Sequence, residues 1–556
     1  MIKKFFSSQY VICALFLMAG GFLSLILKYE LSWDFANYHY YNPWAFLNDR
    51  VHYDIGVGGM NVYFNPLIDI PLYLLIQHFN DYPSFIFFAQ GVWAGALLFS
   101  FLKLLLLFFD WKKFDDKIAV LLALAIGLTG NAFFFQIGTS TNEIQVSFLV
   151  MTALYLLIKE IFFKEKASLI SFFVSGFLFG AAMGLKLTAF IYCLSSGAAL
   201  LLFFRYLKNP RSQILIFILG GLTGFLLVNG FWMIKLWELF ENPFFPFANT
   251  IFESKYMPIN NFRDMNFVPQ NWLEVLIWPF ILGFRFIRLE GEMFIADYRP
   301  AVAFVVLLVF IFRIFWEKII KKPIGAKASF AFLIIFEVLS FGLWMFVFSI
   351  VRYYIVIELI AALFIVKGIW RYKVKSFVGE TLYYTFVVLM VFLLVSTPYF
   401  SDRWGKHFVG DKLTDGKFIN VEDINIPDNT LLQLYGYPLS AMIPFFAEKG
   451  KGLRAVVLEQ AMYRHITPEG KSENVFAVGE WQKLRSEIIN NHKGPKFVLV
   501  AFGKSSSIDI RKDPILSKYP CRFLRQNILL RRLMLCVPPE YVDFVWNKEN
   551  NKKQMR

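Results

Sequence analysis

Long apolar runs alternate with short basic loops over roughly the first 400 residues of the chain. A run of about 17–25 apolar residues is long enough to cross a bilayer as a helix. The runs that reach this length lie near 9–27, 84–109, 118–137, 144–159, 169–185, 189–204, 214–236, 299–315, 329–350, 353–368 and 381–398. The pattern therefore predicts a polytopic α-helical membrane protein with about 11 transmembrane helices.

The basic residues of the loops predict the orientation of these spans, because lysine and arginine concentrate on the cytoplasmic side. The basic clusters fall at 3–4, 112–117, 159–166, 205–211, 318–327 and 367–375. All of them lie on one side if the stretch 167–204 forms a hairpin with its outer turn near 184–188, and if 138–143 forms the outer turn before it. This topology places the N-terminus inside and the C-terminus outside.

Three large segments then lie outside the membrane: a first outer loop at 28–83, an outer loop at 237–298, and a domain at 400–556 that follows a membrane domain at 1–399. The pattern of the last segment changes to alternating strands and helices. Strands are predicted at 430–436, 454–458 and 496–501, and helices at 441–449 and 480–491. We expect a small α/β domain there. Cys521 and Cys536 lie in two runs that we expect to pair as a terminal hairpin, which predicts a disulfide in an oxidising compartment.

Composition supports the membrane assignment and removes two other classes. The chain is 57% hydrophobic and 17% charged, with a mean hydropathy of +0.53, which excludes a soluble globular protein. The net charge of +15 is carried by clusters between apolar runs, so we expect no nucleic-acid partner. No small-residue cleavage site follows the first apolar run, which is predicted to be an uncleaved span.

Glycines recur at every fourth position in the predicted hairpin, at Gly176, Gly180 and Gly184. This spacing allows a neighbouring helix to approach closely. The same segment, GAAMGLKLT, loosely resembles a phosphate-binding loop, but its spacing does not fit one. The glycines are therefore interpreted as packing residues.

Asp34 follows the first span directly, in a loop that is unusually long and aromatic. A partly desolvated carboxylate at the membrane edge suits a proton acceptor or a group that orients an attacking hydroxyl. A helix cap is the competing interpretation. Asn42-Pro43 and Asn65-Pro66 predict two helix starts, and hence two helices along the membrane surface.

The aromatic residues of this loop, which include Tyr38 and Trp44, fit either an interfacial belt or a platform on which a sugar stacks. His39 and His52 suggest a metal site completed by Asp34, Asp54 or Glu143. Their spacing matches no zinc pattern, which favours hydrogen-bonding roles and leaves an oxygen-coordinated Mg²⁺ or Mn²⁺ open.

Few basic residues lie on the predicted outer side. Lys186 and Arg352 occupy outer turns, where they would hold a phosphate or pyrophosphate group. The competing interpretation pairs Lys186 with Glu143 and Arg352 with Glu358.

Arg285 and Arg288 share one face of a short predicted helix in the second outer loop. They are candidate phosphate ligands as well. Beside Glu290 and Glu292, they are also candidate surface anchors.

The layout of a first-loop acidic residue, two interfacial helices, about 11 spans and an outer domain resembles the GT-C superfamily of integral-membrane glycosyltransferases. Within it, the chain is most similar to bacterial members related to the protein O-mannosyltransferases and the lipid A aminoarabinose transferases. The segments that carry this resemblance are WDFANYHYYNPWAFLNDR, YFNPLIDIP, GAAMGLKLTAF, ENPFFPFANTIF and VRYYIVIELI.

This resemblance implies a multi-pass protein of the bacterial inner membrane that transfers a sugar from a polyprenyl-phosphate or pyrophosphate donor to an acceptor hydroxyl on the periplasmic face. Asp34 matches the position of the family's catalytic acidic residue, and Lys186 and Arg352 would stabilise the departing lipid phosphate. Many relatives carry two adjacent acidic residues here, whereas Asp34 stands alone, which puts metal dependence in doubt. His39, Tyr38, Trp44, Asp54 and Glu143 are the substrate-binding candidates.

Three other functions remain open at this stage. A transporter or flippase of lipid-linked sugars would show two repeated halves with interrupted helices, and the sequence has no internal repeat. An O-antigen polymerase or ligase would carry its large catalytic loop between late spans. A non-catalytic factor of envelope glycan assembly would tolerate changes at Asp34 and Arg352. The sugar and the acceptor are not set by the sequence.

Overall fold

The structure is a computed structural model. The residues that it describes are 9–27, 32–259, 267–283, 297–319, 328–371, 384, 387–388, 390–392, 394–396, 416–436, 438–459, 464–466, 472–474, 479–502, 516–529 and 532–546.

Helices dominate the described chain. In chain order they are α1 (Gln9–Leu27), α2 (Tyr41–Leu47), α3 (Ile70–Phe79), α4 (Pro83–Phe108), α5 (Phe114–Leu128), α6 (Asn131–Phe134), α7 (Glu143–Phe162), α8 (Leu169–Leu185), α9 (Phe190–Leu202), α10 (Pro210–Phe240), α11 (Asn249–Phe252), α12 (Trp272–Ile281), α13 (Arg299–Ile319), α14 (Ala328–Val347), α15 (Ile355–Arg371), α16 (Ile443–Ala447), α17 (Gly479–Asn491) and α18 (Val542–Trp546).

Five helices of the described chain, α1, α4, α7, α10 and α14, are long and apolar enough to cross a membrane. Helices α8 and α9 are apolar but shorter. Within the predicted span at 381–398, the structure describes residues 384, 387–388, 390–392 and 394–396. The chain is therefore a helical, membrane-embedded protein with a small C-terminal sheet. The count of eleven spans and their orientation stay predictions.

The chain divides into two compact units. Unit 1 comprises Met1–Leu27, Phe87–Gly230 and Arg263–Lys406, and unit 2 comprises Lys28–Ile86, Phe231–Phe262 and His407–Arg556. Unit 1 holds most of the apolar helices. Unit 2 gathers segments from all three stretches that the sequence pattern places outside the membrane.

Glycines allow α8 and α10 to pack closely in unit 1, as the four-residue spacing predicted. A Cβ atom placed on Gly176 or Gly180 would overlap the backbone carbonyl of Phe217 or Gly221 on α10. The contact is reciprocal, because a Cβ atom on Gly224 would overlap the carbonyl of Phe177 on α8. Only residues without a side chain fit at this helix–helix interface.

Charged side chains in the interior of unit 1 satisfy helix ends. Arg299 is fully buried, donates to the carbonyl oxygens of Ile126 and Thr129 at 3.0 and 2.7 Å, and pairs with Asp297 at 2.9 Å. It thereby serves the last carbonyls of α5, which have no partner within that helix. Glu358 serves the opposite end of a helix, because its carboxylate accepts from backbone N–H groups at the start of α6.

Unit 2 contains a mixed five-stranded sheet. Strands β1–β8 are Val57–Met60, Leu431–Tyr435, Arg454–Glu459, Arg464–Ile466, Ser472–Asn474, Lys496–Phe502, Cys521–Leu524 and Arg532–Cys536, and the sheet order is β3-β2-β6-β8-β7. Strand β2 pairs in parallel with β3 and β6, whereas β8 pairs antiparallel with β6 and β7. Cys521 and Cys536 face each other across β7 and β8 and form a disulfide. The three strands predicted between 430 and 501 are present.

The first outer loop covers the β3 edge of this sheet. The N–H of Ile55 donates to the carbonyl of Ala455 at 2.9 Å, and the N–H of Val457 donates to the carbonyl of Ile55 at 3.0 Å. An uncovered strand edge offers unpaired backbone groups to other chains. The loop therefore closes the edge and is itself fixed by the sheet.

A buried ion pair anchors the same contact. Asp54 accepts from Arg50 at 2.7 and 3.0 Å and from the N–H of Ala455 at 2.7 Å, while Arg50 also donates to the carbonyl of Leu453 at 2.8 Å. Tyr41 donates its hydroxyl to Asp54 at 2.8 Å. Each carboxylate oxygen of Asp54 is thus used within unit 2.

The other segments of unit 2 are joined by long-range hydrogen bonds. Asn80 exchanges side-chain hydrogen bonds with the backbone of Ile419 at 2.7 and 2.9 Å. The indole of Trp481 donates to the carbonyl of Tyr256 at 2.6 Å, and the indole of Trp232 donates to the carbonyl of Tyr63 at 2.9 Å. Unit 2 is therefore one folded body built from three distant stretches of chain.

The two helix starts predicted in the first loop differ from the structure. Helix α2 begins at Tyr41, so Asn42 lies inside it, and the Asn42 amide donates to the carbonyl of Asn61 at 3.0 Å. Asn65 accepts from the N–H of Leu67 at 3.0 Å, but α3 begins only at Ile70. A long-range partner replaces the cap in the first case, and a separate turn precedes the helix in the second.

Substituting Gly180 with alanine tests the close helix contact. The added methyl group would push α8 away from α10, and overpacking of this kind costs about 1–3 kcal/mol. We expect a lower thermal unfolding midpoint for Gly180→Ala in detergent. Gly197→Ala is the matched control, because a Cβ atom there meets nothing within 4 Å among the described residues and alanine favours a helix. An equal effect of the two substitutions would contradict the packing.

Substituting Asp54 with asparagine tests the anchor between the first loop and the sheet. Breaking a buried ion pair costs about 3–5 kcal/mol. We expect Asp54→Asn to lower the unfolding midpoint and to expose the loop to limited proteolysis. Asp49→Asn is the control, because Asp49 is exposed and its φ of 53° suits asparagine as well. An undisturbed Asp54→Asn loop would show that the ion pair does not hold it.

Candidate functional site

A π-helical turn organises the start of the first loop in unit 2. Residues Phe35–His39 form this turn, and the N–H of Tyr40 donates to the carbonyl of Phe35 at 3.3 Å. Ser32 supports the turn by accepting from the N–H of Phe35 at 2.9 Å. π-Turns are rare and frequently lie at functional sites. Asp34 and His39 stand at the two ends of this one turn.

Asp34 is buried, with 5% of its surface exposed. It directly precedes the π-turn with helical backbone angles, and its side chain makes no capping hydrogen bond to that turn. The structure therefore does not support the interpretation of Asp34 as a helix cap. The role of Asp34 as a proton acceptor stays a prediction.

His39 forms a buried pair with Asp69, thirty residues further along the chain. Its Nδ1 atom lies 2.7 Å from Oδ1 of Asp69, and each side chain is 4% exposed. The Nε2 atom of His39 is buried and has no hydrogen-bond partner within the part of the chain that the structure describes. One ring nitrogen is thus oriented by a carboxylate, and the other is presented without a partner among these residues.

The aromatic candidates of the loop lie in packed surroundings. The ring of Tyr38 lies beside that of His39, tilted by 42° at a centroid distance of 4.2 Å, and meets Phe64 edge-on at 5.6 Å. Trp44 is 5% exposed, and the guanidinium of Arg50 lies 5.0 Å from its ring centroid. Tyr38 therefore belongs to the surroundings of the His39 pair, whereas Trp44 packs on the Asp54 anchor.

Asp54, also predicted to bind substrate, has the contacts of a structural residue. Burial raises the pKa of its carboxyl, and the Arg50 guanidinium, the Ala455 N–H and the Tyr41 hydroxyl oppose this rise. Because these groups occupy both oxygens, Asp54 ties the first loop to the sheet.

His52 lies in an aromatic cage. The rings of Tyr63, Phe240, Tyr256 and Trp481 surround it at centroid distances of 5.3–6.1 Å. Burial lowers the pKa of His52 to about 4. Its Nδ1 atom lies 3.1 Å from the Tyr63 hydroxyl. These surroundings hold His52 as a neutral packing residue.

A second group of candidates meets in unit 1. Glu143 begins α7, Lys186 directly follows α8, and Arg352 lies in the 3₁₀ helix Val351–Tyr354. Nζ of Lys186 lies 2.5 Å from Oε1 of Glu143, and Nε of Arg352 lies 3.5 Å from the same oxygen. We call Lys186 and Arg352 the cation pair on Glu143. The side chains of Glu143, Lys186 and Arg352 are 4%, 18% and 12% exposed.

Neighbouring groups fix the two cations in place. Lys186 donates to the carbonyl of Thr141 at 2.8 Å. The ring of Tyr353 lies 5.5 Å from Nζ of Lys186 and 5.3 Å from Cζ of Arg352, within cation–π range. Two positive charges thus converge on one carboxylate, so the three side chains together carry a surplus of one positive charge.

The structure gives Lys186 the alternative partner that the sequence suggested, but changes that of Arg352. Lys186 pairs with Glu143, as the competing interpretation had it. Glu358, the suggested partner of Arg352, instead accepts from the N–H groups of Ala132 and Phe133 at 3.2 and 2.9 Å. Arg352 shares Glu143 with Lys186 because the helix ends bring distant residues together.

Two further candidates and the metal hypothesis complete the comparison with the sequence. Arg285 and Arg288 lie outside the described residues. Among the residues that the structure does describe, no group of three or more His, Cys, Asp or Glu side chains is arranged to hold a metal ion. His39 and His52 have the separate surroundings given above, so we derive no step through a metal.

Two buried pairs escaped the sequence analysis, one in the candidate site and one at the end of α5. The pairing of His39 with Asp69 spans thirty residues, and no short motif marks it. The buried Arg299 and Asp297 pair carried a weak signal, an Asp-x-Arg at the start of an apolar run. This signal could have predicted a buried pair, because an ionisable residue at the end of a span is costly to bury without a partner.

Comparison with known proteins found no matching family model, no similar curated protein and no similar solved structure. The resemblance to the GT-C superfamily accordingly stays a prediction.

The cage around His52 predicts that unit 2 loses stability in acid. The folded chain holds His52 neutral with a pKa of about 4, whereas the unfolded side chain has a pKa of about 6.5. The stabilisation is therefore complete above about pH 6.5 and falls as the pH drops towards 4, by at most about 1.4 kcal/mol per pH unit.

We expect His52→Gln to flatten the pH dependence of the thermal unfolding midpoint over this window. His78→Gln is the control, because His78 is exposed and its Nδ1 atom contacts the carbonyl of Leu74. A His52→Gln protein with the slope of the unmodified chain would contradict the assignment.

Proposed function

We propose that the chain is a membrane glycosyltransferase that moves a sugar from a polyprenyl-phosphate or pyrophosphate donor to an acceptor hydroxyl. The proposal includes a GT-C-like arrangement of about 11 spans and an active site on the periplasmic face of a bacterial inner membrane. Its substrates are the lipid-linked donor and a glycan, lipid or protein that carries the hydroxyl. The observation that carries it is the cation pair on Glu143.

The cation pair suits a phosphate on electrostatic grounds. Lysine binds phosphate as a point charge, and arginine binds two phosphate oxygens at once. Because Lys186 and Arg352 share one carboxylate, an entering anion would meet two cations beside the single carboxylate of Glu143. The low exposure of these side chains strengthens the attraction, since little water screens it.

The reaction develops negative charge where this pair would act. When the acceptor oxygen attacks the anomeric carbon, the bond from that carbon to the phosphate oxygen breaks, and its electron pair stays on the polyprenyl phosphate. Fixed positive charges stabilise this leaving group more strongly than they stabilise the bound donor. Lys186 and Arg352 are therefore assigned to leaving-group stabilisation.

Unit 2 supplies the candidate proton acceptor. Asp34 is buried and does not cap the π-turn. It lies in the first loop, where the resemblance to the GT-C superfamily implies a catalytic acidic residue. In the proposed reaction it takes the proton of the acceptor hydroxyl. The observations that support the role of Asp34 all lie within unit 2, and those that support the role of the cation pair lie within unit 1.

The test is transfer from radiolabelled polyprenyl-phosphate sugars by the purified chain in liposomes. We expect Asp34→Asn to reduce the transfer rate by about 10²-fold or more, since general-base catalysis is typically worth 10²–10⁴. Lys186→Met is expected to reduce both the donor affinity and the rate. Asp81→Asn and Lys208→Met are the matched controls, because both residues are exposed.

Equal activity of Asp34→Asn and Asp81→Asn would remove Asp34 from the reaction. If Lys186→Met behaved as Lys208→Met does, the cation pair would have no part in donor binding.

A further inference from the structure

We propose that the His39–Asp69 pair is a binding position for a hydroxyl group of the acceptor substrate, with Nε2 of His39 accepting the hydrogen bond. The inference rests on the proposed function and gives it a specificity-determining residue. It starts from the buried Nε2 atom, which has no hydrogen-bond partner among the described residues.

The contact with Asp69 sets the tautomer of the ring. An ionised carboxylate accepts hydrogen bonds only, so Nδ1 of His39 carries the proton that it donates over 2.7 Å. In the neutral ring the other nitrogen then has a lone pair and no proton. Nε2 is thus an acceptor that requires a donor, and its orientation is fixed by Asp69.

This tautomer determines which kind of group can bind to Nε2 of His39. A phosphate or carboxylate offers no proton in its ionised form and would meet the lone pair of Nε2 unfavourably. A hydroxyl group donates one hydrogen bond and carries no charge, so it fits a buried site. Among neutral donors, the one that the proposed reaction supplies is the acceptor hydroxyl, so the ligand class is a neutral, hydroxyl-bearing molecule, in contrast to the anion expected at the cation pair on Glu143.

A purely structural histidine would be expected to use both nitrogens. An acceptor that is buried without a partner costs free energy, and buried polar atoms of this kind are uncommon. His39 ends a π-turn that begins beside Asp34. The turn places the hydroxyl-accepting nitrogen and the candidate proton acceptor in one short stretch of chain.

The structure offers a variant that separates the two nitrogens. In His39→Asn the amide nitrogen takes the place of Nδ1, so the hydrogen bond to Asp69 is retained and the acceptor at Nε2 is lost. In Asp69→Asn the side-chain amide can donate to Nδ1, which shifts the ring proton to Nε2 and turns the acceptor into a donor. His78→Asn is the matched control on an exposed histidine.

The experiment measures transfer by the full-length chain in liposomes, with methyl β-glucoside as a probe acceptor and a labelled polyprenyl-phosphate sugar as donor. We expect His39→Asn and Asp69→Asn to raise the KM for methyl β-glucoside by about tenfold or more. A site that recognises a hydroxyl group through a hydrogen bond binds it more weakly when that hydrogen bond is lost. The donor KM and the unfolding midpoint of His39→Asn should stay unchanged. A lower unfolding midpoint with an unchanged acceptor KM would show a structural role and overturn the inference.

A second measurement is independent of turnover. In protein labelled with ¹⁵N-histidine, the Nε2 resonance of His39 is identified as the one that disappears in His39→Asn. This resonance should have the chemical shift of an unprotonated nitrogen. It should move when methyl β-glucoside is added. A protonated Nε2, or a resonance indifferent to the probe, would overturn the inference. If the unmodified chain transfers no sugar while the resonance responds, the proposed function fails and the hydroxyl site stands.

Discussion

A polar group inside an apolar protein interior must find its partner within the chain, and this constraint shapes unit 1. Arg299 lies buried because it satisfies carbonyl groups at the end of α5, and Glu358 satisfies N–H groups at the start of α6. Each of these two charged groups serves a helix end. Against this background, the cation pair on Glu143 stands out, since its two cations share one carboxylate. Two cations at one carboxylate in partly buried surroundings are the feature that most favours an anionic ligand.

The same requirement explains how unit 2 is assembled. Strand β3 would expose an unpaired edge, and the first outer loop closes it through Ile55 and the Asp54 anchor. The C-terminal sheet therefore supports the loop that carries Asp34 and His39. This gives the C-terminal segment a role that its sequence left open: it holds the candidate chemical groups on a rigid element, as precise sites require.

Local patterns predicted much of the fold. Apolar runs located the long helices, alternation located three strands of the sheet, and four-residue glycine spacing predicted the close approach of a neighbouring helix to α8. The predicted terminal hairpin brought together Cys521 and Cys536, which the structure joins in a disulfide. These features depend on neighbours in the sequence, or on a period that the sequence displays directly.

The site was less predictable because its contacts are long-range. Asn42 has the identity of a helix cap, yet its amide reaches Asn61, and Arg352 reaches Glu143. The pairing of His39 with Asp69 depends on how the loop folds back over thirty residues. Asp54 and His39 look equivalent as polar loop residues in the sequence. The structure separates them, because the oxygens of Asp54 are all engaged and Nε2 of His39 has no partner among the described residues.

The central claim, that the chain breaks the bond between a sugar and a lipid phosphate, is tested most directly by identifying the lipid product. Liposomes that contain the unmodified chain, a polyprenyl-phosphate sugar and a mixture of hydroxyl acceptors would be analysed by mass spectrometry and ³¹P NMR. We predict free polyprenyl phosphate in an amount equal to the sugar transferred. Intact donor that moves between leaflets without release of polyprenyl phosphate would contradict the claim and identify a flippase.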